Sequence, residues 1–401
     1  MSARRGVFKD ETKLDLNYVP KTLLHRETEM RLLNEFFSFI ITHPDKMAQR
    51  VLIVGDVGTG KTALSQRFGA DIIQQAKQRG LNVHYVHVNC RQYRGSLFLI
   101  LHHVISSFHP NFPKRGFSSE ELLNIFIQVL DEENVYLLLT LDEFESLINR
   151  EGSEPVYKLT RLQETRIDKP QRFSLICILK SLNAIESLDP STRSTLQSNI
   201  IRLERYTKEQ LADIINDRVQ LAFKHSAVLE DTIGLIAELA ESEGGNARFA
   251  IELLWRAGKY ADAEGLDIVT PECVRKAVSS IFAVARKSDL AALIFHEKLF
   301  LLGMARFFKE NIDRAYVTLT EAEQAYAVVC EEFNVQPHTH TQLWKYLQTL
   351  ATMGIIRKSV STAGQRGRTT LIYLPGISSC ELEKELAYLL EREKNSQKRL
   401  N

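Results

Sequence analysis
The chain reads as an α/β protein in three parts: a three-layer domain on a parallel sheet, an all-helical domain, and a terminal module of helices and a hairpin. Three observations carry that expectation. The apolar run 51–54 leads directly into Gly55-Asp56-Val57-Gly58-Thr59-Gly60-Lys61-Thr62 and then into a helical pattern beginning with Ala63. Short apolar runs alternate with helical periodicities up to about residue 205, after which residues 207–284 are helical throughout. From Ser288, three helical segments precede two short strand candidates around a basic tip, which is a winged helix in outline. The domain boundaries expected from these shifts are 1–205, 206–287 and 288–401.

Taken in order, a polar arm ends in Tyr18-Val19-Pro20, and residues 27–41 have helical apolar spacing. Strand 51–54 then delivers the glycine-rich loop. Its glycines let successive backbone N–H groups turn inward around a phosphate, Lys61 reaches the outer phosphates, and Thr62 offers its hydroxyl to Mg²⁺ at the start of helix 61–79. Strand 83–88, helices near 95–108 and 118–131, strand 135–141, a helix near 154–167 and strand 173–179 complete the alternation. The helical stretch between the second and third strands is interrupted by Pro110-Asn111-Phe112-Pro113-Lys114-Arg115-Gly116, which a plain phosphate-loop domain does not need.

Strand 135–141 carries Asp142 and Glu143 at its C-terminal end, where open parallel sheets place ligand chemistry. Asp142 would hold Mg²⁺ through water and Glu143 would polarise an attacking water. An acidic pair after a strand also suits a helix N-cap. Its position about 80 residues beyond the phosphate loop favours the catalytic reading.

Composition excludes several classes. A net charge of +1 makes the chain as a whole no polyelectrolyte, so any nucleic-acid surface must be local. Five scattered cysteines without a C-x-x-C pair read as reduced thiols. No apolar run approaches the roughly 18 residues of a membrane span, and the N-terminus lacks an apolar signal core, so a cytoplasmic protein without a membrane partner is expected.

In the terminal module, Leu343, Leu347 and Leu350 have core spacing and leave Thr339, Thr341, Gln342, Lys345 and Gln348 for base edges and phosphates. Such a pattern alone also describes a solvated helix face. The adjacent hairpin, with Arg357, Lys358, Arg366 and Arg368, favours DNA. Trp344 reads as core rather than as a stacking platform. His338 and His340, like the pair His102-His103, lack the acidic or cysteine partners of a metal site.

With these motifs in place, the chain resembles the archaeal replication-initiator family related to the origin recognition complex and the cell-division-control helicase loader, within the AAA+ ATPases. The likeness extends over nearly all of residues 18–376. Its carriers are Tyr18-Val19-Pro20, His25-Arg26-Glu27, Leu141-Asp142-Glu143, Leu188-Asp189-Pro190-Ser191-Thr192-Arg193, Tyr206-Thr207-Lys208-Glu209-Gln210-Leu211 and Gly245-Asn246-Ala247-Arg248. His296-Glu297-Lys298, Gln342-Leu343-Trp344 and Arg366-Gly367-Arg368-Thr369-Thr370 extend it through the last module.

The resemblance implies an ATP/ADP-controlled protein that binds double-stranded origin DNA and helps recruit or load the replicative helicase, with related initiator subunits as further partners. By position it assigns Val19 and Pro20 to the adenine with Arg26 nearby, Tyr206 to the nucleotide site, and Arg248 to the phosphates from the lid. Arg193 would face a neighbouring subunit's nucleotide, although a helix-surface ion pair accounts for it nearly as well. Lys114 and Arg115 fall in the helical insertion that the family uses as a second DNA contact; by sequence they are an exposed basic turn. One departure stands out: where the family usually has a short polar residue after strand 173–179, this chain has Lys180-Ser181, with Asn183 too late. A charged lysine accepts no hydrogen bond from water, so slow hydrolysis, or ATP used as a switch, is expected. Two rival readings remain at this point: an ATPase switch in signalling or transcription whose winged helix binds proteins, and a helicase-loading adaptor without site specificity.

Overall fold
The computed structural model describes residues 6–44, 46–162, 169–197, 199–282, 286–360 and 369–398. The chain divides into two units: Val19–Tyr206, and a second in which the segment ending at Tyr18 joins Thr207–Asn401.

The first unit is built on a parallel sheet of β1 (Arg50–Gly55), β2 (Val83–Asn89), β3 (Tyr136–Asp142), β4 (Phe173–Leu179) and β5 (Ile200–Leu203), in the order β2-β3-β4-β1-β5. Helices α1 (Glu27–Phe37), α2 (Phe39–Thr42), α3 (Lys61–Gln78), α4 (Leu97–Phe108), α5 (Ser119–Glu132), α6 (Glu145–Glu151), α7 (Ser153–Thr160), α8 (Asn183–Glu186) and α9 (Pro190–Leu196) belong with it. Strands β3 and β4 are buried along their whole length, so their apolar runs are continuous rather than alternating. Their side chains still alternate between faces: Leu137, Leu139 and Leu141 join a core with Phe126 and Phe144, while Tyr136 and Leu138 join another with Phe37 and Phe68. Strand β1, next to the edge, pairs with the central β4 on one side and β5 on the other, with Ile53 opposite Ile178 and Ile201. The expected helix near 154–167 corresponds to α7, which ends at Thr160. Residues 163–168 lie outside the described residues.

In the second unit a short turn of helix at Glu11–Leu14 precedes lid helices α10 (Lys208–Ala222), α11 (Glu230–Ser242), α12 (Ala247–Glu264) and α13 (Pro271–Phe282). The arm packs on these helices. The Phe8 ring lies 4.8 Å from Phe223, Val7 N–H donates to Asp262 at 2.6 Å, and Arg218 donates to the carbonyls of Lys13 and Tyr18. Sequence order groups residues 6–18 with the sheet; packing gives them to the lid because Phe8 finds an apolar seat where Gly258 leaves room for it.

The terminal module comprises α14 (Arg286–Ala292), α15 (Phe295–Glu310), β6 (Tyr316–Thr318), α16 (Leu319–Glu332), α17 (His340–Thr352), β7 (Arg357–Val360), β8 (Thr370–Tyr373) and α18 (Ser379–Lys398). The antiparallel sheet runs β6-β8-β7. Ile355 and Ile356 precede β7 as buried plugs. Lid and terminal module are joined by a buried ion pair: Arg275 donates to Glu272 at 3.1 Å and to the Arg314 carbonyl at 2.7 Å, and its guanidinium lies 4.1 Å from the centroid of the Phe308 ring. Glu272 in turn accepts from Ser379 N–H at 2.9 Å. The five cysteines are free thiols, and no helix among the described residues is long and apolar enough to cross a membrane.

Candidate nucleotide site and nucleic-acid interface
The glycine-rich loop turns between β1 and α3. Gly60 has φ +90°, and a Cβ there would also meet the Tyr206 hydroxyl at 2.9 Å; at Gly55 a Cβ would come within 2.6 Å of the Leu203 carbonyl oxygen. The loop therefore needs both glycines for space as well as for turning. Lys61 Nζ donates to the Gly55 and Asp56 carbonyls at 2.5 and 2.7 Å. Burial pulls its pKa below the usual lysine value, partly countered by Asp142, Glu145 and Asp56. A phosphate anion at the loop would relieve that cost. Thr59 is buried and its hydroxyl donates to the Asp56 carbonyl at 2.9 Å, while the Asp56 carboxylate pairs with Arg205 at 2.6 Å. Val57 is exposed at the tip, Gly58 takes φ +81°, and Ala63 is half-buried in the first turn of α3.

Strand β3 brings Asp142 to Thr62, whose hydroxyl donates to Oδ2 at 2.6 Å. Burial pushes the Asp142 carboxyl up, but His87 and the Thr62 hydroxyl outweigh it and hold the carboxyl below its ordinary value. His87 Nε2 lies 3.3 Å from Oδ2 without hydrogen-bond alignment. A hydroxyl and an ionised carboxylate in contact are the oxygen donors that Mg²⁺ accepts, so these residues fit the ion. Glu143 sits at φ +49°, a left-handed conformation uncommon outside glycine, with its N–H donating to Asp142 Oδ1 at 2.8 Å. Its carboxylate is 3.9 Å from Arg91, a neighbour that spacing alone did not reveal.

Lys180 follows β4 directly and is exposed; its charge is among those that depress the pKa of Lys61. Ser181 and Asn183 are exposed as well. Arg26 is buried and donates to the Thr59 carbonyl through Nε and Nη2 at 3.1 and 3.0 Å, and to the Glu204 carbonyl at 2.7 Å. Its guanidinium lies 4.0 Å from the centroid of the buried Tyr206 ring, and burial raises the Tyr206 pKa against the opposing pull of Arg26. Arg26 and Tyr206 thus brace the loop from behind. Pro20 is buried and Val19 half-buried in the same unit. Arg193 lies on α9, whose N-cap Asp189 accepts from Ser191 and Thr192 N–H; Arg193 makes no ion pair among the described residues. Arg248 is exposed in the first turn of α12, in the second unit.

Lys114 and Arg115 are exposed on the loop between α4 and α5. The loop is fastened by an aromatic set: His102 Nε2 contacts the Pro113 carbonyl at 3.2 Å, and Phe112 packs on His102 and Phe117. Along α17, Thr341 and Lys345 are exposed and Gln342 is half-buried, with Thr339 exposed at the N-cap. Trp344, expected in the core, is instead 39% exposed, because it falls at the edge of the Leu343, Leu347 and Leu350 seam. Arg357 turns toward the Glu238 carbonyl, 3.5 Å away, which leaves Lys358 as the exposed cation of β7. Arg366 and Arg368 lie outside the described residues. His338 and His340 are engaged by Tyr346 and Glu323 respectively.

Comparison with known proteins places this architecture. Family models match an AAA domain over residues 45–182, a Cdc6 AAA+ ATPase-type lid domain over 212–279, and a CDC6 C-terminal winged helix domain over 289–376. The ORC1-type DNA replication protein 2 of Sulfurisphaera tokodaii is 34% identical over 399 residues, covering 96% of this chain and 93% of its own. The chain belongs to the Cdc6/ORC1-type replication-initiator family. The corresponding protein of Saccharolobus solfataricus is 34% identical, covering 95% of this chain and 92% of its own. Among solved structures, the Cdc6/ORC1-type fold matches Cdc6p from Pyrobaculum aerophilum with a TM-score of 0.83 at 29% identity, covering 97% of this chain and all of that one. It also matches the Aeropyrum pernix ORC1 protein in complex with DNA, with a TM-score of 0.63 at 26% identity, covering 97% of this chain and 98% of that one. The Cdc6/ORC1-type assignment makes the expected AAA+ sheet domain, helical lid and winged helix findings, and with them a nucleotide-binding ATPase fold.

Proposed function
We propose that the protein is an ATP-dependent DNA replication initiator that binds double-stranded origin DNA and helps recruit or load the replicative helicase. The observation that carries the reading is a phosphate-loop site in which Lys61 is held by the loop carbonyls and Thr62 meets Asp142, in a chain whose α17 presents an exposed face of Thr341, Lys345 and Gln348. In this reading Val19 and Pro20 hold the adenine, and the loop from Gly55 to Ala63 holds the phosphates. Thr62 and Asp142 would hold Mg²⁺, which supplies charge neutralisation at the phosphates. Glu143 orients the attacking water, Arg248 reaches the phosphates from the lid, and Arg193 serves a neighbouring initiator subunit. Lys180 adds positive charge near Lys61 and no acceptor for a water, so turnover is slow and the nucleotide acts mainly as a switch. The three proposed modules are 1–205, 206–287 and 288–401, with the arm of residues 6–18 packed on the second of them. Lys114, Arg115, Thr339, Thr341, Gln342, Lys345, Arg357, Arg366 and Arg368 meet DNA, with Lys358 beside them on the hairpin.

The test is a titration of origin-derived and scrambled duplexes with ADP and with a non-hydrolysable ATP analogue at near-physiological salt. Tight binding selective for the origin duplex, dependent on nucleotide state, supports the initiator reading. Weak, unselective binding in both states sinks it and favours a protein-recruiting switch.

A further inference from the structure
Exposed tryptophan is uncommon, since its large ring gains most from burial. Trp344 nevertheless sits 39% exposed on α17, in the same stretch as exposed Thr341, Lys345 and Gln348, while Leu343, Leu347 and Leu350 fill the core behind. Across from it, Lys358 Nζ of β7 lies 5.2 Å from the indole centroid. Lys358 alternates along β7 with half-buried Arg357 and Ser359, and shares its exposed side with Val360. Indole and ammonium thus form one surface bridging helix and strand. The cation–π contact restricts the lysine before anything binds, which lowers the entropy lost on capture of a partner.

We propose that Trp344 and Lys358 together clamp the sugar–phosphate backbone of duplex DNA. With α17 in a major groove, the side chains between helix and adjacent strand face the backbone ridge that borders that groove. The indole packs on deoxyribose, its Nε1–H donates to a phosphate oxygen, and the Lys358 ammonium pairs with a phosphate. The pair fixes the register of α17 on the duplex and reads no base. The inference rests on the DNA-binding reading above, which already includes Lys358, and adds Trp344, which the sequence pattern assigned to the core, together with the coupling of the two side chains.

The chain has two tryptophans, Trp255 and Trp344, so its emission can be dissected. Wild type and Trp344→Phe are titrated with origin and scrambled duplexes; an emission change on binding that is present in wild type and lost in Trp344→Phe belongs to Trp344. Trp344→Ala should then weaken both duplexes alike, by about tenfold, without altering the salt dependence. Lys358→Ala should reduce the slope of log affinity against log salt by about one. If wild type binds DNA with unchanged Trp344 emission and Trp344→Ala binds as tightly, the clamp is wrong. Weakening confined to one sequence overturns it too, because that marks base reading. Failure of wild type to bind any duplex refutes the initiator reading and the clamp with it. Unchanged thermal unfolding of the variants confirms that folding is not what is being read.

Discussion

The phosphate loop and the α17 face both present polar groups for anionic partners, yet they are built in opposite ways. In the loop every group is held: Lys61 by two carbonyls, Thr62 by Asp142, and the Thr59 carbonyl by Arg26 from beneath. On α17, Thr341, Lys345 and Gln348 are exposed, and Lys358 of β7 is exposed beside the face of an indole. The first arrangement suits chemistry, in which donors must already point where charge will sit. The second suits a long, hydrated polyanion whose affinity comes from counterion release and tolerates mobile side chains. Substitutions should accordingly act through geometry in the first region and through charge in the second.

The largest effect is expected at Lys61. Its partners are two loop carbonyls, one in an exposed and one in a part-buried bond, so Lys61→Ala should still fold while nucleotide affinity falls on the order of 100-fold or more, the loss of charge-assisted bonds to phosphate. Calorimetric titration with ATP measures this; near-parental affinity would remove the loop from nucleotide binding. Arg26→Met comes next and sharpens the contrast, because Arg26 would act without touching phosphate. It strands the Thr59 and Glu204 carbonyls, at roughly 1–3 kcal/mol for each buried group left unpaired. Both the melting temperature and ATP affinity should drop, whereas an unchanged melting temperature would show that the brace is dispensable. At the opposite extreme, Lys114→Ala with Arg115→Ala should leave melting and ATP affinity as they were and cut the salt slope of DNA binding by about two, if each residue pairs with a phosphate. A drop in stability there would break the comparison, since it would make that loop structural too.

The same division explains how much could be read in advance. The phosphate loop and Asp142 were legible because their chemistry is written in contiguous residues at strand ends. Their supports were not: His87, Arg91 and Arg205 reach the site only through the fold, and Arg26, which the resemblance set near the adenine, reaches the Thr59 carbonyl 33 residues away, a contact no local pattern announces. Strand β5 escaped notice because Ile200–Leu203 offers four residues, and β6 because Tyr316–Thr318 offers three, too few for a periodic signal. Helix α18 carries nine charged residues among its twenty, and Leu382, Leu386 and Leu390, with Leu389 beside them, tie it to the core. Trp344 was misjudged because an aromatic beside a leucine seam ordinarily joins it; one position of helical phase leaves it at the rim.

The smallest effect concerns pH and sits between the two regimes, since it couples a held group to the α17 face. His296 on α15 stacks on His338 with ring centroids 3.8 Å apart, and its Nδ1 is 2.7 Å from the Tyr326 hydroxyl. That hydroxyl also accepts the His338 N–H at 3.2 Å; its own proton is free to donate to His296 Nδ1 in the tautomer that leaves this nitrogen unprotonated. His338 Nδ1 in turn meets the Tyr346 hydroxyl at 2.6 Å, and His340 pairs with Glu323 between α16 and α17. Burial first, and then His338, hold the His296 pKa below the ordinary imidazole value. The unfolded chain therefore binds the proton more readily than the folded one. The stability from this group is full above the unfolded pKa of about 6.5 and is lost as pH falls through the folded value. His296→Gln, which keeps an acceptor for Tyr326 and removes the titration, should flatten the fall in melting temperature between neutral and mildly acidic buffer. It should also reduce any acid loss of DNA affinity, because Tyr326 and Tyr346 connect the histidine pair to the start of α17. An identical acid profile for wild type and variant would mean that the stacked pair merely fills space.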